Sequence, residues 1–132
     1  MARLHARAFT RERPWSVEEF AALLESPHVF AAGDARAFAL GRAVAGEAEL
    51  LTLATDPANR RLGLGRGVLA AFEAGARDRG AAEGFLEVAA DNTAALALYR
   101  GAGWQEAARR AGYYARAEAR AADAVIMHRA FT

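Results

Sequence analysis

The sequence predicts an α/β fold, a mixed and mostly antiparallel central sheet flanked by helices, on three observations. Short apolar or alternating runs between about residues 28 and 55 are split by Gly33-Asp34 and Ala45-Gly46-Glu47, which are hairpin signals. Two longer runs, from Leu64 and from Thr93, have helical character, and each ends at a glycine suited to a left-handed cap, Gly80 and Gly103. The apolar stretch GFLEVAA between those helices reads as a strand, so the order is helix, three strands, helix, strand, helix, two strands.

Taken in order, Ser16 is an N-cap and Glu19 completes a capping box, opening an amphipathic helix over 17–25 with Phe20, Leu23 and Leu24 on one face. Pro27 stops it. Strands follow at about 28–32, 36–44 and 48–55, and Asp56-Pro57 closes the third. A helix over about 64–79, a strand over 84–89, a helix opened by Asn92, and strands over about 104–112 and 122–130 complete the chain. With 132 residues, the expectation is a single domain with one continuous core.

Composition narrows the function classes. The formal charge of +1 argues against a general nucleic-acid binder, and all 17 basic residues are arginine, whose planar fork suits phosphate and carboxylate. There is no cysteine, which removes disulfides, thiolate metal sites and cysteine nucleophiles. His5, His28 and His128 lack ligand-like spacing, so no metal is expected. No run approaches the roughly 20 apolar residues of a membrane span, and the start MARLHARAFTRERPW has no apolar signal core. A cytoplasmic protein that avoids membranes is the expectation.

The chemistry concentrates at RRLGLGRG, residues 60–67, just before a helical run. Glycines allow close backbone approach, and a helix start offers unpaired N–H groups, so this stretch fits an anion cradle. A P-loop is excluded because the chain has no lysine. A dinucleotide fingerprint fails because Val68 stands where the third glycine belongs.

Arg60-Arg61-Leu62-Gly63-Leu64-Gly65 instead matches the pattern [QR]-x-x-G-x-[GA], and this resembles the acyl-CoA loop of the GCN5-related N-acetyltransferases (GNAT). Further stretches are similar to the RimI-type branch, which acetylates the N-terminal alanine of ribosomal proteins: Pro14-Trp15-Ser16, FLEVAADNTAALALYRGAGW, RRAGYY and ADAVIMHRAF. The resemblance implies a GNAT-like sheet. It also implies acetyl-CoA as co-substrate and a protein or peptide N-terminus, most directly that of a small-subunit ribosomal protein, as acceptor.

Roles follow residue by residue from that likeness. The backbone of Leu53, Ala54 and Thr55 would pair with the pantetheine arm like an added strand. Residues Arg60, Arg61, Leu62, Gly63, Leu64, Gly65 and Arg66 would wrap the pyrophosphate, and Asn92 would contact the cofactor near pantetheine. Glu87 matches the general base, Tyr99 the general acid, and Tyr113 and Tyr114 the pair that encloses the acceptor residue.

The chemistry asks for such groups independently. An α-amine with a pKa of about 7.7–8.0 is mostly protonated near neutrality and must lose a proton before attacking a thioester. A carboxylate can take that proton, and Glu87 is the one ionisable residue in the apolar run 84–90. A tyrosine hydroxyl, neutral at pH 7, can serve the departing thiolate. A GNAT enzyme acting on a small free amine, or a CoA-binding module without turnover, remain the alternatives.

The sequence also departs from the branch. Only 13 residues precede Pro14, so the first strand is expected to be missing and Leu4, Ala8 and Phe9 to be what is left of the first helix. Arg60 stands where the branch commonly has glutamine, and the stretch before Asp123 lacks the usual acidic residue.

Overall fold

The computed structural model describes residues 16–56, 63–116 and 120–131. The expected remnant at Leu4, Ala8 and Phe9, and the packing of Trp15, lie outside the described residues. Helix α1 (Val17–Leu24) opens on the expected capping box: Glu19 N–H donates to Ser16 Oγ and Ser16 N–H donates to Glu19 Oε1, each at 3.1 Å. Such a cap contributes about 1 kcal/mol.

Strands β1 (Val29–Gly33), β2 (Ala37–Val44) and β3 (Glu47–Thr55) form the antiparallel meander. The β2–β3 turn places Ala45 at φ +54° and Gly46 at +84°, the left-handed pair that a two-residue hairpin requires. Helix α2 (Leu64–Asp78) then crosses to β4 (Glu83–Ala89), which runs parallel to β3. Helix α3 (Thr93–Gly101) follows, then β5 (Gln105–Tyr114) and β6 (Ala122–Ala130). The sheet order is β1-β2-β3-β4-β6-β5, with β6 antiparallel to both neighbours.

Two boundaries differ from the sequence expectation in ways that matter. β4 begins at Glu83, because pairing with Ala130 extends it, and the strand thereby gains a second carboxylate. β5 runs on to Tyr114, held by its pairing with Ala122, so both tyrosines belong to the strand.

Helices α2 and α3 cover one sheet face. Val68, Leu69, Phe72 and Ala76 from α2, Leu96 and Tyr99 from α3, and Trp104 share a buried cluster with Leu50, Leu86, Val88, Val125 and Met127. On the opposite face, Phe20 of α1 packs edge-on against Phe38 and joins Leu40 and Ala54.

An extra residue in β3 changes which side chains face which layer. Leu40 pairs with Thr52 and Gly41 with Leu50, leaving Leu51 without a partner on β2, a β-bulge. Ala48 and Leu50 face the larger cluster, Leu53 packs against that same cluster, and Ala54 belongs to the smaller one. Strict alternation cannot place residues 48, 50 and 53 on one face.

Gly41 lies under the parallel pair Phe30 and Phe72, whose ring centroids are 5.7 Å apart. A Cβ there would come within 2.5 Å of Phe72 and 2.9 Å of Phe30. Gly41→Val is therefore expected to destabilise the fold by about 1–3 kcal/mol, read as a lowered midpoint in chemical denaturation. An unchanged midpoint would contradict this packing.

Candidate active site

The parallel pairing of β3 with β4 ends at Leu50–Leu86. Beyond it β3 stays with β2 as far as Thr55, and β4 stays with β6 as far as Ala89. The two strands therefore part from Leu51 and Glu87 onward, and each turns toward the gap an edge of backbone without a strand partner among the described residues. The bulge at Leu51 stands where the parting begins, and bulges bend the strand that carries them.

Glu87 occupies the head of this gap, the first β4 residue past the last pair. Leu86 and Val88 on either side of it are buried in the helix-covered core, so Glu87 points to the other face, where it is exposed. The Tyr114 hydroxyl donates to Glu87 Oε1 at 3.1 Å. Tyr113 packs edge-on against Tyr114 with centroids 5.2 Å apart, is 54% exposed, and carries the Arg110 guanidinium over its ring. Glu87, Tyr113 and Tyr114, apart in the sequence, are brought to one place by the fold.

At the other end of the gap, Leu53, Ala54 and Thr55 line the open β3 edge and α2 begins. Gly63 is its N-cap at φ +73°. Gly67 N–H donates to Gly63 O at 3.1 Å, the first bond of the helical ladder. The N–H groups of Leu64, Gly65 and Arg66 precede that bond, and the dipole adds partial positive charge there. A Cβ on Gly65 would lie 3.3 Å from Leu98 Cδ2 and 3.7 Å from Thr55 Oγ1, so the helix start abuts both the end of β3 and α3.

The Arg66 guanidinium is turned to α3, where it donates to Gly101 O at 3.0 Å. The Arg66 side chain thus joins the two helices, while its backbone N–H stays at the start of α2. Arg60, Arg61 and Leu62 lie outside the described residues.

Asn92 closes the β4 side of the mouth. Its N–H donates to Ala89 O at 3.0 Å, and its side-chain oxygen caps α3 by accepting from Ala95 N–H at 3.2 Å. The carboxamide nitrogen is the side chain's donor group. Tyr99 is buried in the core cluster, and that burial pushes its hydroxyl pKa up, keeping it protonated throughout the physiological range.

The strand bearing the tyrosines is clamped by groups that sequence reasoning did not single out. Asp123 Oδ1 accepts from Gly112 N–H at 3.0 Å and its Oδ2 accepts from Arg109 at 3.3 Å. The Gly112 N–H and Arg109 hold the Asp123 carboxyl below its ordinary value, and the Arg109 guanidinium does the same for Glu106. Gly112, at φ +63°, makes the irregular step that re-aims the strand before Tyr113. The second carboxylate of β4, Glu83, bonds His128 at 3.1 Å instead of entering the gap. Among the described residues, no group of three or more His, Asp or Glu side chains could hold a metal ion, and no helix is long and apolar enough to cross a membrane.

A sheet that splits beside a bare helix start, with a carboxylate at the head of the split, can take an extended polar chain as an added strand, an anion at α2, and an amine beside Glu87. That combination defines an acyl-transfer architecture. The profile of the Acetyltransferase (GNAT) family matches residues 2–104, and the chain belongs to this family.

Within it, the chain is 39% identical over 118 residues to the ribosomal protein bS18-alanine N-acetyltransferase of Escherichia coli K12, covering 86% of this chain and 79% of that one. It is 37% identical to the N-alpha-acetyltransferase RimI of Mycobacterium tuberculosis, covering 97% of this chain and 83% of that one. The crystal structure of the ribosomal-protein-S18-alanine N-acetyltransferase from Escherichia coli superposes with a TM-score of 0.87 at 34% identity, covering 99% of this chain and 85% of that one.

Proposed function

We propose that this chain is an acetyl-CoA-dependent N-acetyltransferase. It transfers acetyl to the N-terminal α-amine of a protein, namely the N-terminal alanine of a small-subunit ribosomal protein in the cytoplasm. The observation that carries the reading is the parting of β3 and β4 with Glu87 at its head and the α2 N-terminus at its mouth. The names of the relatives favour the α-amine of a protein over a small free amine, and the presence of both Glu87 and Tyr99 favours turnover over a binding module.

In this reading Leu53, Ala54 and Thr55 hold the pantetheine arm, Gly63 to Arg66 hold the pyrophosphate through backbone N–H groups, and Asn92 donates near pantetheine. Tyr113 and Tyr114 enclose the acceptor residue. Glu87, directly or through one water, removes the proton from the α-amine, and the amine attacks the thioester carbonyl without an acetyl-enzyme. Backbone N–H groups on the parted strands stabilise the oxyanion. Tyr99 donates a hydrogen bond to the departing sulfur; with its pKa raised by burial it keeps its proton for that purpose.

The direct test is CoA release with a peptide that begins with alanine, against a free polyamine. Turnover with the polyamine alone would overturn the acceptor and spare the family. Tyr99→Phe is expected to lower kcat about tenfold at neutral pH. Because burial keeps the Tyr99 hydroxyl protonated through this range, the loss should persist unchanged as pH rises to about 9. A variant as fast as wild type would count against Tyr99 acting at the sulfur.

A further inference from the structure

Arg116 and Asp91, just past the ends of β5 and β4 on either side of β6, meet although 25 residues separate them. Arg116 Nε donates to Asp91 Oδ2 at 2.7 Å and Nη2 donates to Oδ1 at 2.8 Å, the two-pronged geometry that only a guanidinium offers a carboxylate. Nη1 donates to Ala115 O at 3.0 Å. The Arg116 side chain is only 8% exposed, and its Cζ lies 5.6 Å from the Tyr114 ring centroid. An arginine held by these three bonds has a fixed task.

The neighbours of the pair show what that task is. Asp91 immediately precedes Asn92, the cap of α3 on the cofactor side, and Arg116 follows two residues after Tyr114 on the acceptor side. β5 is an edge strand, exposed along its length until Tyr114, with irregular pairing between Arg110 and Tyr114. At the sheet edge β5 has a strand partner on one side only among the described residues, so the side-chain contacts of Tyr114 fix its ring. The guanidinium lies over the ring whose hydroxyl donates to Glu87, so a chain of contacts runs from Asp91 through Arg116 and Tyr114 to Glu87.

We infer that Asp91 and Arg116 are positioning residues that lock Tyr114 onto Glu87 and thereby set the acceptor pocket, tying its wall to the helix cap beside the cofactor. The inference rests on the proposed function in taking Glu87 as base and Tyr114 as acceptor wall. Neither residue of the pair touches the reacting atoms.

The test is steady-state kinetics with the alanine-starting peptide and acetyl-CoA varied separately. Arg116→Ala is expected to raise the peptide KM about tenfold, the scale of losing a charge-assisted hydrogen-bond pair, with the acetyl-CoA KM within about twofold of wild type. Arg116→Lys keeps the charge without the fork and should recover only part of the loss. Combining Asp91→Arg with Arg116→Asp should recover more than either single change. An unchanged peptide KM, or peptide and acetyl-CoA KM rising together with a fall in melting temperature, would overturn the inference.

If the wild type fails to acetylate the peptide, it is the proposed function that fails. A crystal structure of Arg116→Ala then decides the positioning role independently: Tyr114 is expected to leave Glu87, and finding it still bonded to Glu87 Oε1 overturns the inference whatever the substrate.

Discussion

Glu87→Gln is expected to lower kcat for an alanine-starting peptide by about 10²–10⁴-fold while leaving CoA affinity and melting temperature near wild type. The substitution is nearly isosteric, and the glutamine oxygen can still accept the Tyr114 hydroxyl that now donates to Glu87 at 3.1 Å. What it removes is a basic site at the head of the gap. Because Glu87 is exposed and outside the buried core, little packing changes with it. The pH dependence gives the sign of the effect. An α-amine with a pKa of about 7.7–8.0 sheds its proton to solvent above that range, so the ratio of wild-type to variant rate should fall as pH rises past 8. A ratio constant with pH, or a variant as fast as wild type, would remove Glu87 from the base role.

Most of this fold was legible because local signals agreed with one another. The capping box at Ser16, the hairpin residues Ala45 and Gly46, and the left-handed Gly80 and Gly103 each act within a few residues, and each lies where the sequence puts it. The bulge at Leu51 has a sequence mark, the apolar doublet Leu50-Leu51 that interrupts alternation, but a doublet alone does not tell a bulge from an end of strand. Whether β3 and β4 part is a matter of register between strands that α2 separates. No local pattern encodes it.

The site was legible as residues and illegible as geometry. Glu87, Tyr113 and Tyr114 could be picked from the chain, yet the bond between Tyr114 and Glu87 depends on β6 lying between their strands. Charge partners distant in sequence were missed for the same reason: nothing near Asp91 points to Arg116. Nothing near Glu73 marks it for burial, which its bond to Arg129 makes tolerable. Arg66 is a further case. The likeness implies that it lies at the pyrophosphate, and no local pattern foretells that its guanidinium donates to the carbonyl of Gly101 at the end of α3.

The distinction between backbone and side chain sets the second large effect. Gly63→Val is expected to weaken CoA binding at least about tenfold, more than Arg61→Ala. A β-branched residue at φ +73° is strained by about 1–3 kcal/mol, and relieving the strain rotates the peptide whose neighbours supply the converging N–H groups. Nothing lies within 4 Å of a Cβ at Gly63, so the penalty comes from backbone conformation and not from a clash. Bulk at Gly65 acts differently: Leu98, 3.3 Å from the Cβ position, must shift, and the helix start moves away from α3. Gly67 offers the control, since a Cβ there meets nothing within 4 Å; Gly67→Ala should keep CoA affinity while adding helix propensity of up to about 1 kcal/mol. Arginine contacts to a solvated phosphate are screened by salt, so Arg61→Ala should cost only a few-fold and less still at high ionic strength. Calorimetric titration of CoA into the four variants separates the two sources of affinity. A loop that binds through its amides predicts Gly63→Val and bulky Gly65 variants far below Gly67→Ala, with Arg61→Ala between them, whereas equal affinities across the set, or Arg61→Ala weakest, would shift the binding to the arginine side chains.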